Sequence, residues 1–88
     1  MELNDLLKMI RDGEQFNVNE LMPFLCAEKI DERSDNNYKL AEAYYAVGDY
    51  KQARVFIYRS WVFSHFSYDV LPLLIKIYEK QDEYNSIR

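Results

Sequence analysis

The chain repeats itself. Sliding the 88-residue sequence along itself by 34 positions brings Leu6, Leu40 and Leu74 into one column. Leu7, Ala41 and Ile75 form the next. Ile10, Tyr44 and Tyr78 form a third, and Phe16, Tyr50 and Tyr84 a fourth. Leu3 and Leu71 also coincide, with Asn37 between them as the exception. A period of this length restricts the fold more than any local propensity does. Each unit must be one supersecondary element that buries its apolar face against its neighbours.

Within each unit the spacing is helical. Leu3, Leu6, Leu7 and Ile10 recur at intervals of three and four, as one face of a helix does. Asn37, Leu40, Ala41 and Tyr44 repeat that face, and Leu71, Leu74, Ile75 and Tyr78 repeat it again. A second helix is expected after each, over 18–31, over 50–63, and from residue 84. Only two glycines and two prolines occur in the chain, too few to punctuate a β-fold. The fold class is therefore all-α, in repeats of about 1–33, 34–67 and 68–88, the last truncated.

The punctuation fits hairpins. Gly13 and Gly48 stand where a helix needs a residue of positive φ to close it, and Asp82 stands at the third such point. Ser34 or Asp35 is expected to cap the third helix, and Ser67 or Asp69 the fifth. Pro72 then falls in a first turn, where its missing N–H is harmless. Pro23 lies inside the expected second helix, which must start near Met22 or kink there.

The middle unit, NYKLAEAYYAVGDYKQARVFIYRS, resembles a tetratricopeptide repeat. Asn37, Leu40, Ala41 and Tyr44 stand at that family's first-helix signature positions, with Asn for Trp and Ala for Gly. Ala53 and Ile57 stand at its second-helix positions, and Gly48-Asp49-Tyr50 at its hairpin turn. His65 replaces the usual Pro. The third unit matches in its first helix and turn. The first keeps mainly the period, with Asn19 and Pro23 where Ala and a large apolar residue are usual. The resemblance implies a right-handed stack of antiparallel helix hairpins, an α-solenoid whose first helices line a concave groove. From the register, Asn4, Lys8, Arg11, Tyr38, Glu42, Tyr45, Lys76 and Glu79 would face that groove and bind a protein or peptide segment. Family members that clamp a terminal carboxylate need a basic or amide residue in the third unit. Lys8 and Lys39 suit that role, but Asp69 and Leu73 do not, so that subtype is disfavoured.

The segment YRSWVFSHFSY, residues 58–68, holds five aromatic residues and the single His of the chain. Trp61 follows Ile57 by four and Ala53 by eight, so the buried stripe is its expected place, with Phe66 and Tyr68 packed beneath the next helix. Phe56, Tyr58 and Phe63 lie off that stripe and are candidates for an exposed apolar patch.

Several function classes are disfavoured. Net charge is −4, and residues 1–35 carry nine acids against four bases. Only Arg54 and Arg59 accompany the aromatic helix, which is a poor footprint for nucleic acid. Cys26 and His65 each stand alone, so no metal site is expected, and Cys26 reads as a small buried residue aligned with Ser60. His65 reads as a helix-end or solvent-facing residue. The acidic run KIDERSD reads as a solvated loop and helix start, not a catalytic pair. No phosphate-binding glycine loop exists, and neither catalysis nor a cofactor is expected. A lone cysteine and an N-terminus without a basic start and apolar run point to the cytoplasm, with no membrane span.

Two functions of different class follow. One is a non-catalytic interaction scaffold. The other is an N-terminal accessory or dimerisation module of a larger bacterial enzyme, such as a glycosyltransferase or methyltransferase, because the sequence stops where a further helix is due. A weak homodimer through that end, hiding Leu74, Ile75 and Tyr78, is a third expectation.

Overall fold

A computed structural model describes the backbone of residues 2–86 and the side chains of residues 2–82. Among the described residues every regular element is helical. The helices are α1 (Leu3–Asp12), α2 (Met22–Leu25), α3 (Ile30–Ala46), α4 (Tyr50–Phe63) and α5 (Leu71–Ser86), with a 3₁₀ turn over Val18–Leu21 before α2. The chain is thus all-α, and its central feature is the hairpin of α3 and α4, which make the most extensive helix–helix contact.

Three helices end in the same way. Gly13 (φ 74°) closes α1, with its N–H donating to the Ile10 carbonyl and that of Glu14 to the Met9 carbonyl. Gly48 (φ 82°) closes α3 through Gly48 N–H to Tyr45 and Asp49 N–H to Tyr44. These paired bonds satisfy carbonyls that the helix end leaves open. At the end of α4 the same bonds run from His65 to Val62 and from Phe66 to Trp61, yet no glycine is present. His65 (φ 56°) and Phe66 (φ 63°) both hold left-handed backbone, and the Phe66 ring packs edge-on against Trp61, centroids 4.9 Å apart.

The hairpin closes tightly because its facing residues are small. Ala41 shares the face of α3 that carries Ser34, and it and Ala53 of α4 are fully buried. Farther along, Ser34 Oγ donates to the Ser60 carbonyl (3.0 Å) and Ser60 Oγ to the Ser34 carbonyl (2.8 Å). Each hydroxyl is buried and partnered, so the backbones approach without an unpaired polar group. Asp49 caps α4, its carboxylate accepting from Gln52 N–H at 3.2 Å. The core continues through Leu6, Leu7 and Ile10 of α1 on one side, and through Val70, Leu74 and Ile77 on the other.

The expected second helix over 18–31 does not form. Pro23 lacks the N–H that such a helix requires and its ring would collide with the Asn19 carbonyl. The segment instead breaks into the 3₁₀ turn, capped by Asn17 Oδ1 accepting from Asn19 N–H at 2.9 Å, and the single turn of α2, with Pro23 in its first turn. Helix α3 then begins at Ile30, earlier than a cap at Ser34 or Asp35 would allow. Asp31 and Glu32 occupy its first turn, where the helix dipole favours acids. The carbonyls of the broken segment find donors on α3: Asn36 Nδ2 reaches Phe24 at 2.9 Å, and Arg33 Nε donates to Ala27. The acidic run is therefore mostly helix.

At the far end, Asp82 makes no turn. Helix α5 passes through it to Ser86, because Asp is poorly suited to the positive φ that Gly13 and Gly48 supply. A helix starting at residue 84 is not seen as far as Ser86, and residues 87 and 88 lie outside the described residues. The side chain of Tyr84, in the fourth repeat column, also lies outside them.

Candidate interaction surface

Helix α4 has two apolar faces. Its buried face carries Ala53, Phe56, Ile57 and Ser60. Directly opposite run Lys51, Val55, Tyr58 and Val62, in steps of four, three and four, which is one continuous stripe on a helix. All four are exposed, with Val55 at 43%, Tyr58 at 51% and Val62 at 39%. Arg54 flanks the stripe on one side and Arg59 on the other, both exposed. A helix with one neighbouring layer normally presents a polar outer face. This one presents valine and tyrosine between cations.

The stripe opens into a cleft of about 520 Å³ between α4 and α5, lined by Lys51, Arg54, Val55, Tyr58, Arg59, Tyr78 and Gln81. Arg54 is held in place there. Its guanidinium lies 4.9 Å from the Tyr78 ring centroid and donates to Gln81 Oε1 at 3.1 Å. An arginine so held keeps further N–H donors for an incoming acceptor.

A second cleft, of about 490 Å³, lies between α3 and the α4–α5 turn. Asp31, Asp35 and Asp69 line it with His65, Tyr38 and Phe63. Burial, and then the nearby carboxylates of Glu42 and Asp69, push the Tyr38 phenol above its ordinary value. Tyr44 is also raised, by burial and then by Asp49, where it stacks on Phe56 (5.5 Å, 7°). Both tyrosines are neutral hydrogen-bonding groups near pH 7. Among the described residues no group of three His, Cys, Asp or Glu is arranged to hold a metal ion, and no helix is long and apolar enough to cross a membrane.

The eight groove candidates fall on three helices. Asn4, Lys8 and Arg11 are exposed on α1, and Lys76 and Glu79 on α5. On α3, Glu42 is exposed while Tyr38 and Tyr45 are half-buried, Tyr45 against Tyr50 with centroids 5.5 Å apart. Of the eight, Tyr38 alone borders either of these two clefts.

The aromatic segment divides differently from the expected pattern. Trp61 is half-buried, but Phe66 is exposed and Tyr68 is 84% exposed, because the double left-handed turn carries the chain outward before α5 begins. Phe56, expected off the core stripe, is buried against Tyr44. Phe63 is half-buried under the Arg33 guanidinium, 5.8 Å from its centroid. Cys26 is exposed, since the helix that would have buried it stops there. His65 faces solvent. Lys51, Val55, Val62, Tyr78 and Gln81 were not singled out as site residues by sequence. Their signal is a second stripe on a helix already assigned a core face.

No family model, curated protein or solved structure matches the chain.

Proposed function

We propose that this chain is a non-catalytic protein-interaction module, a short stack of tetratricopeptide-like hairpins that binds a segment of another protein. The stack reading is supported by the α3–α4 hairpin with its alanine contacts and glycine turn, and by α1 packing on α3 as one first helix would on the next. The family resemblance favours a groove along α1, α3 and α5. The geometry favours the outer face of α4 and its cleft with α5. The observation that carries the proposal is the exposed stripe of Val55, Tyr58 and Val62 opposite the buried stripe. Soluble surfaces seldom align large apolar side chains on one helix face unless a partner covers them.

Peptide-display selection against the immobilised chain tests this. Peptides should enrich on the parent and fail to bind a Val55→Glu/Tyr58→Glu variant that melts within a few degrees of it. Absence of enrichment, or peptides that bind both proteins equally, refutes the proposal for this face. Peptides retained by the variant but lost on Tyr38→Ala or Lys8→Ala would return the site to the first helices.

A further inference from the structure

We infer that the α4–α5 face takes an amphipathic helix bearing acidic residues on both sides of its apolar stripe. This rests on the interaction-module reading and adds the chemistry of the partner.

Shape comes first. Val55, Tyr58 and Val62 span two turns of α4, and Tyr78 of α5 forms the opposite wall of the cleft. A groove between two helices, walled by Val55 and Tyr58 on one side and Tyr78 on the other, suits a third helix packed ridge into groove. The described residues offer no strand edge for an extended peptide to join.

Charge then selects the partner. The chain carries −4 overall, yet this face gathers Lys51, Arg54 and Arg59. Arg54 and Arg59 lie on opposite sides of the stripe, so carboxylates on both flanks of an incoming helix would each meet a cation. Arg54 is already fixed by Tyr78 and Gln81, which reduces the ordering needed to present its remaining donors to a carboxylate. Nucleic acid fits less well. Two of the three apolar residues are valines, which cannot stack on bases. A lipid surface would need a broader apolar face than these three side chains, two of which line a concave cleft.

The test uses two synthetic peptides of about 18 residues, identical in their Leu positions, with either Glu or Lys on both flanks. Anisotropy of labelled peptide should show the Leu/Glu form binding about tenfold more tightly than the Leu/Lys form, with the difference narrowing as salt rises. A Lys51→Glu/Arg59→Glu variant should reverse the preference while melting like the parent. It leaves Arg54 on Tyr78 and so leaves the α4–α5 contact intact. Equal binding of the two peptides overturns the inference. So does binding to phosphatidylserine vesicles without binding to the Leu/Glu peptide, or self-association that Tyr58→Glu abolishes. If selection yields stripe-dependent peptides that are neither acidic nor helical, the inference falls and the interaction-module reading stands. If selection yields nothing as well, both fall.

Discussion

Asn37 is fully buried in the column that holds leucine in the other two repeats. Its Nδ2 donates at 2.7 Å to the Arg33 carbonyl one turn back on the same helix, while its Oδ1 meets no hydrogen-bond donor. A buried acceptor left unpaired costs about 1–3 kcal/mol. The Nδ2 bond returns little, because an i−4 carbonyl already serves the helix ladder. Asn37→Leu is therefore expected to raise stability by about 1–2 kcal/mol in urea unfolding. A lower midpoint for the leucine variant would mean that Oδ1 is satisfied in solution. Gly48 presents the opposite case. A Cβ there would meet no heavy atom within 4 Å, so space is no obstacle and the backbone conformation at φ 82° is the whole constraint. Gly48→Val should cost about 1–3 kcal/mol, with Gly48→Asn closer to the parent. A Val variant that melts with the parent would remove glycine's conformational freedom as the reason for this turn.

Between elements, the Ser34–Ser60 exchange is the most specific contact of the α3–α4 hairpin. Either serine replaced alone by alanine leaves the partner's hydroxyl with its own donor bond but removes its neighbour, at about 0.5–1.5 kcal/mol. The double replacement should cost less than the two singles together, since each single already loses the 3.3 Å contact between the hydroxyls and the double loses it only once. Strict additivity in a urea-unfolding cycle would show that the hydroxyls act independently. This hairpin is also where sequence was most legible. The period placed α4 at its observed bounds, 50–63, and the turn at Gly48, because local signals and core spacing agree there. Legibility failed where one residue overrode the period. Pro23 broke the expected 18–31 helix, though α2 does start at Met22 as the proline required, and Asp82 could not end α5. It failed again on α4 itself. Periodicity registers that apolar residues recur, but not which of two opposite stripes the neighbours cover. Phe56 was thus misassigned to the surface, and Phe66 and Tyr68 to the core. Of the outer stripe of α4, which carries the candidate site, only Tyr58 was visible, as a candidate for an exposed patch, and Val55 and Val62 were not.

Across the whole molecule, the remaining question of assembly turns on α5. The expectation of an uncovered face at Leu74, Ile75 and Tyr78 holds for one of the three. Leu74 is buried with Ile77 against α4, Tyr78 lies half-buried under Arg54, and Ile75 is 50% exposed. Burying one isoleucine side chain contributes about 1.5–3 kcal/mol, and a two-fold axis counts it twice. Association costs about 4–15 kcal/mol in lost freedom of motion. The cost exceeds the gain over most of that range, and even the most favourable combination leaves only about 2 kcal/mol, a Kd on the order of tens of millimolar. Sedimentation equilibrium should then show essentially monomer up to about 1 mM. Ile75→Asp should therefore sediment as the parent does. A micromolar dimer would require a larger apolar contact than the described part of α5 provides. A dimer that survives Ile75→Asp would place the contact elsewhere.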